Sequence, residues 1–224
     1  MYFQINNDDF CNTHRGKVWV NDELKIGHLC VPKCASSGIR SELKLNNVLD
    51  YNDVPKDYKI FTIIREPIER FISAYIEVTQ ASHNSKNIRR FNYNIAPTFK
   101  GYEIRKFLNS LFNSNKSHIE CFNIYLYNII SKWKFFEPHC VPFIYYLTDN
   151  ENNLQKNLNI FKLEKDEDKI KDFLGIKYFN NSNKCKKSDL KNILMKHVNS
   201  NVKIKNKIIE LYRIDIDFYN DFYI

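Results

Sequence analysis

The chain has 224 residues, of which 43% are apolar and 15% aromatic, including 14 Tyr and 17 Phe. So many core-forming side chains exclude a largely disordered protein, and the length suits one domain with embellishments. A formal charge of +8, from 34 Lys and Arg against 26 Asp and Glu, favours an anionic partner: nucleic acid, an acidic polymer, a membrane surface or a phosphorylated small molecule.

Residues 1–22 are mixed and polar, a lead-in segment with a short strand around Val18 to Val20. From Leu24 to Val31 the sequence turns apolar and β-prone, stops at Pro32-Lys33, and continues with Ile39, Leu43, Leu45 and Leu49 near helical spacing. The pattern predicts strand, turn, helix. A second unit repeats it: the run Lys59 to Ile64 suits a buried parallel strand, and Pro67 opens a helix whose apolar stripe is Ile68, Phe71, Ile72, Tyr75 and Ile76. Residues 82–100 are polar and without a clean period, which predicts a long loop or lid. Helical patterns follow over 101–113 and 119–133, then a stretch bracketed by Pro138 and Pro142 leads into Phe143 to Leu147. A third strand is predicted over 159–163. A helix follows over 166–174 with Gly175 just past its end, and two helices over 188–222. Strands alternating with helices predict a three-layer α/β domain around a central, mostly parallel sheet flanked by helices.

Six cysteines, Cys11, Cys30, Cys34, Cys121, Cys140 and Cys185, include no C-x-x-C pair and fit no common zinc spacing, so free and mostly buried thiols are expected. No stretch has the length and apolarity of a signal peptide or membrane span. The chain as written therefore reads as soluble and cytoplasmic. A Golgi-lumenal enzyme trimmed of its membrane anchor would look the same.

In an open α/β sheet, ligands bind at the carboxyl ends of strands, where a helix start offers unsatisfied N–H groups. Lys33-Cys34-Ala35-Ser36-Ser37-Gly38 adds to such a place a cationic donor, small side chains and two hydroxyls. These are parts of a phosphate cradle. The nucleoside-triphosphatase loop G-x-x-x-x-G-K-[ST] does not match, because here Lys33 precedes the small residues. The order Pro-Lys, then small and hydroxyl residues, resembles the 5′-phosphosulfate loop of sulfotransferases. "FTIIREPIERFISAY", 61–75, is similar to the 3′-phosphate motif of the same enzymes, and "IFKLEKDEDKIKDFLGI", 160–176, and "IIELYRIDIDFY", 208–219, resemble two later segments. The resemblance is to the carbohydrate branch, the sulfotransferase family 2 type that includes the heparan 2-O and chondroitin enzymes, and spans roughly 26–220.

That resemblance implies a P-loop-like fold, the donor 3′-phosphoadenosine 5′-phosphosulfate (PAPS, leaving 3′,5′-adenosine bisphosphate), and an acceptor hydroxyl, on a sugar by the nearest likeness. It places Lys33 against the phosphosulfate, where it stabilises charge on the bridging oxygen. The N–H groups of Ala35 to Gly38, including Ser36 and Ser37 with their hydroxyls, hold the other oxygens. Arg65 and Ser73 are placed on the 3′-phosphate, with Arg40 and Arg70 as weaker candidates. In the heparan 2-O enzymes the catalytic His lies between the two nucleotide motifs, but residues 41–64 here contain none. His139 in "FFEPHCVPF" resembles a later family segment and is the first candidate for the general base. Glu42, Glu77, His28 and His83 are the others, and Glu137 is weaker because an exposed carboxylate would need its pKa raised. No metal-ligand set is visible, and Lys33 with Arg65 supplies the cationic charge. The basic residues Lys86, Arg89, Arg90 and Lys100 could steer an anionic saccharide. An acceptor on protein tyrosine or on a small molecule stays open. A nucleotide or metabolite kinase is disfavoured by the missing Gly-Lys-Ser/Thr, and a nucleic-acid surface by aromatics that fall on core-like stripes.

Overall fold

The computed structural model describes residues 15–83, 99–133, 138–177 and 188–222. Most of the expected lid, 82–100, lies outside these residues, as do Lys86, Arg89, Arg90 and Glu137. The fold is mixed α/β, with five strands in the order β3-β1-β2-β4-β5. The strands are β1 (Lys17–Asn21), β2 (Ile26–Leu29), β3 (Asn47–Asp50), β4 (Lys59–Ile64) and β5 (Asn159–Lys162).

The sheet is half parallel rather than mostly parallel. β4 runs parallel to both β2 and β5, and its five residues after Lys59 are all buried. A strand enclosed in this way has no polar face to keep, which is why its sequence is apolar but for Thr62, whose hydroxyl donates to the Leu29 carbonyl at 2.8 Å. β1, in contrast, pairs antiparallel with both β2 and β3. The cause is a short hairpin in which the Asn21 side chain accepts the Leu24 N–H at 3.0 Å and Lys25 takes φ 49°. Gly27, within β2, lies so close to β1 that an added Cβ would stand 2.8 Å from Val18 Cγ1.

The first helix, α1 (Ser36–Glu42), is shorter than the spacing of Ile39, Leu43, Leu45 and Leu49 suggests. It stops where Lys44 turns left-handed at φ 48°, and Leu49 belongs to β3. Leu43 and Leu45 are buried as expected, but two apart they follow the period of extended chain, not of a helix. The other helices are α2 (Pro67–His83), α3 (Phe99–Phe112), α4 (His118–Asn128), α5 (Phe143–Leu147), α6 (Glu167–Leu174), α7 (Ser188–Ser200), α8 (Val202–Leu211) and α9 (Arg213–Asp221). Three helices, not two, fill 188–222, because Asn201 caps α8 by accepting the Ile204 N–H at 3.1 Å and the chain breaks again at Tyr212. α4 opens on a reciprocal Ser117–Glu120 capping box and passes into a π-helical turn, Ile129–Trp133.

Two apolar clusters hold these elements. One joins the sheet to α1, α5, α6 and part of α9; the other forms around the predicted stripe Ile68, Phe71, Ile72, Tyr75 and Ile76, which meets α3, α4, α7 and α8. α2 thus carries the helical cluster, and it follows directly on β4 of the sheet. Cys30, Cys34, Cys121 and Cys140 are free thiols, all but Cys30 buried. Among the described residues no helix is long and apolar enough to cross a membrane.

Candidate active site

The segment from Cys30 to Ala35 links β2 to α1. Lys33 and Ala35 both sit in the left-handed region, at φ 67° and 62°, a conformation that helps a turn aim successive N–H groups into one concavity. Not all of Lys33 to Gly38 is free to meet an anion. Cys34 is fully buried, burial pushes its thiol up to about 12, and its N–H is spent on Val31 O at 3.3 Å. Ser36 donates its hydroxyl to the same Val31 carbonyl at 2.7 Å, closing the loop. These two residues build the cradle. Ser37 is exposed, and the N–H groups of the first turn of α1 have no intrahelical acceptor.

The second motif begins where β4 ends. Glu66 caps α2 by accepting the Glu69 N–H at 2.7 Å, and Pro67 takes the first helical position, where its missing N–H costs nothing. Arg65 then reaches along the helix, its Nη1 donating to Ser73 Oγ at 3.0 Å and its Nη2 pairing with Glu69 Oε2 at 2.8 Å. Its Nε lies 3.3 Å from Glu164 Oε1, and Tyr219 donates to the other oxygen of Glu164 at 3.1 Å. Arg65 and Ser73, named together from the sequence, are in contact; Glu164 beside Arg65 was not foreseen. Nor was Lys191 on α7, whose Nζ stands 2.7 Å from Glu69 Oε2.

Positions 69, 73 and 77 are four apart and so share one face of α2. Glu77, at the far end of that stripe, holds Lys33 at 3.1 Å. One helix face therefore touches both motifs: Glu69 and Ser73 meet Arg65, and Glu77 meets Lys33.

A buried link fixes the loop to this helix. Arg70 is only 1% exposed, so it neither faces solvent nor offers itself to a ligand; its Nε donates to Pro32 O at 3.1 Å, one residue before Lys33. Asp215, fully buried, accepts the N–H groups of Phe143 and Ile144 at 2.7 and 3.0 Å. Its carboxyl is raised to about 7 by burial, against the pull of Arg70 and those two N–H groups. The later segments noted in the sequence acquire roles here: Glu164 braces Arg65, and Asp215 opposes Arg70.

The candidates for the general base separate by position. His28 lies in β2 with no exposed surface, stacked on Phe61 with centroids 4.9 Å apart; burial, reinforced by Arg40, drives its imidazole down to about 3. It cannot serve. Glu42 is exposed at the far end of α1, about 9 Å of helix from Ser36, and Arg40 lies over the Trp19 ring at 4.4 Å. His83 ends α2, with its side chain outside the described residues, as is that of Lys100 on α3. His139, half-buried, sits on the 3₁₀ turn Pro138–Cys140, which packs against α2. Glu77 is in contact with Lys33.

A family model described as "Sulfotransferase family" matches residues 39–223. The chain belongs to the sulfotransferase family. The match begins just after the Lys33 loop and takes in Arg65, Ser73, Glu77, Glu164 and Asp215, so the loop rests on its own residue order and geometry. No curated protein and no solved structure matches the chain. Membership assigns sulfuryl transfer, a reaction that asks a protein for fixed cations around an anionic donor more than for covalent participation.

Proposed function

We propose that this sulfotransferase takes its sulfuryl group from PAPS and delivers it to a carbohydrate hydroxyl, on a P-loop-like α/β scaffold. The observation that carries this reading is the single face of α2 that touches both motifs. β2 and β4 are neighbouring parallel strands, and both motifs leave their carboxyl ends, where α/β sheets bind nucleotides. The donor set fits a bisphosphorylated nucleoside: Lys33 in its left-handed loop at one end, and an Arg fork with a neutral hydroxyl at the other. The acceptor class is supported by the likeness to heparan and chondroitin enzymes and by a net charge of +8, which suits an anionic saccharide.

Bound PAPS supplies a sulfuryl group already activated by a phosphate leaving group. Lys33 places its ammonium where charge grows on the departing oxygen, and Arg65 with Ser73 holds the 3′-phosphate. Glu77 is the base this geometry favours over His139. At rest it fixes Lys33; once Lys33 turns to the donor, the Glu77 carboxylate is free to take the acceptor's proton as the new S–O bond forms and the old one breaks.

Thermal unfolding with 3′,5′-adenosine bisphosphate, without metal, tests the donor assignment. At a hundred times Kd the wild type should gain about 2.7 kcal/mol, about 5–11 °C for a chain of this size, and Lys33→Ala and Arg65→Ala should lose most of it. Stabilisation by Mg-ATP alone would end the proposal. With labelled PAPS and a saccharide panel, Glu77→Gln should lose about a hundredfold or more in kcat. If His139→Asn loses that much and Glu77→Gln does not, the base is His139.

A further inference from the structure

Two cations converge on one carboxylate oxygen beside Ser73. Arg65 Nη2 and Lys191 Nζ stand 2.8 and 2.7 Å from the same Glu69 Oε2. We propose that Lys191 is a ligand of the nucleotide's 3′-phosphate and that Glu69 is its internal stand-in, displaced when the phosphate arrives. This rests on the reading above, in which Arg65 and Ser73 receive that phosphate.

Charge makes the argument. Arg65 already faces Glu69 and Glu164, so without Lys191 the cluster would be negative before any ligand bound. A phosphate monoester brings a further charge of about −1.5 to −2 at neutral pH, and one guanidinium shared by two carboxylates cannot balance it. Lys191 brings the sum nearest to neutral when one carboxylate yields its place. The two carboxylates differ in how they are held. Glu164 is braced by the Tyr219 hydroxyl at 3.1 Å and the Glu66 N–H at 3.3 Å. Glu69 has only Arg65 and Lys191 as partners among the described residues, both on one oxygen. Burial favours its neutral form, yet the two cations hold its carboxyl below the ordinary range, so it is ionised at neutral pH. An ionised oxygen already sitting between two donors and beside a hydroxyl marks where a phosphate oxygen would sit. Rotation of the Glu69 side chain toward solvent vacates that place, and its present exposure of 27% leaves a way out.

The consequence is selectivity for 3′-phosphorylated nucleotides. Isothermal calorimetry on the whole chain would compare 3′,5′-adenosine bisphosphate with adenosine 5′-monophosphate, which lacks the 3′ group. Lys191→Ala should weaken the bisphosphate about ten- to a hundredfold, the range for losing a charged hydrogen bond, and leave the monophosphate nearly unchanged. Lys191→Arg should recover most of the affinity. Glu69→Gln should tighten the bisphosphate several-fold, because a neutral amide competes less well for the two cations. Lys191 is 29% exposed, so its replacement should leave the fold intact, and a melting curve without ligand checks that. Wild type binding neither nucleotide would bring down the functional reading and this inference with it. If instead Arg65→Ala loses the bisphosphate while Lys191→Ala keeps it, or Glu69→Gln weakens it as Lys191→Ala does, the functional reading stands and the assignment of Lys191 and Glu69 is overturned.

Discussion

Replacing Arg70 by Leu should destabilise the protein by an amount that depends on pH in a defined direction. Two losses combine. Pro32 O, beside the Lys33 loop, loses its donor at 3.1 Å, which costs about 1–3 kcal/mol at any pH. Asp215, with no exposed surface, loses the positive charge whose field favours its ionised form, and above its pKa it must take up a proton to avoid standing as a lone buried charge, at about 1.4 kcal/mol per pH unit. Burial already holds the Asp215 carboxyl at about 7 in the folded chain, against 3.8 as its ordinary value. The folded state therefore binds that proton more tightly than the unfolded state. The stability this provides is complete below about pH 4 and is lost as the pH rises to 7. Without Arg70 the carboxyl rises further, so at pH 5 it is neutral and only the Pro32 loss remains. Urea unfolding should then give a deficit of about 1–3 kcal/mol at pH 5 and about 1 kcal/mol more at pH 8, one unit above the Asp215 value. The pH 8 deficit corresponds to a fall in Tm of about 4–16 °C. Adding Asp215→Asn to Arg70→Leu should recover the pH-dependent part of the deficit, the coupling expected of two residues whose charges interact. Equal deficits at the two pH values would refute the coupling between Arg70 and Asp215.

Three further outcomes follow from backbone and burial. Ala35 sits at φ 62°, so Ala35→Gly should be neutral or stabilising by up to about 1 kcal/mol, as relief of left-handed strain offsets glycine's added unfolded-state entropy; a clear fall in Tm would contradict the loop geometry. Gly27→Ala puts a Cβ 2.8 Å from Val18 Cγ1 and should cost about 1–3 kcal/mol by overcrowding the β1–β2 pair, measured as a shift in urea midpoint at constant m-value. For His28, burial lowers the folded pKa to about 3 from 6.5; its neutral form supports the fold above about pH 6.5, and that support drains as the pH falls toward 3. His28→Phe should therefore resist acid better than the wild type, read as a smaller loss of stability between pH 8 and pH 5.

What the sequence revealed of the fold was whatever neighbouring residues decide. The apolar run of β4 and the stripe from Ile68 to Ile76 were legible because a buried strand and a helix face impose periods visible within one segment. The half-parallel sheet was not, since pairing direction is set by where strands meet; only the short link between Asn21 and Ile26 hints at a hairpin. α1 was overextended for a related reason, as Leu43 and Leu45 fit either period until the left-handed Lys44 stops the helix.

The candidate site divides along the same line. Lys33, Arg65 and Ser73 could be named because each motif is compact, and Arg65 reaches Ser73 within a single strand-to-helix turn. Their partners come from afar: Glu77 is 44 residues from Lys33, and Lys191 is 122 residues from Glu69. Lys191 follows the lysine-rich run 184–187, where one more Lys looks like another solvated charge. Arg70 looked ambiguous for the opposite reason, since an Arg on an amphipathic helix is normally exposed, and what it meets when buried, Pro32 O, lies 38 residues away. One signal was nevertheless available. Glu69, Ser73 and Glu77 stand at i, i+4 and i+8 along a helix whose start was already marked by Pro67. Two acids flanking a hydroxyl on one face require cations opposite them, and the nearest motif lysine and arginine are Lys33 and Arg65. Helical spacing applied to the polar residues of α2, and not only to its apolar stripe, would have joined the two motifs before any coordinates were known.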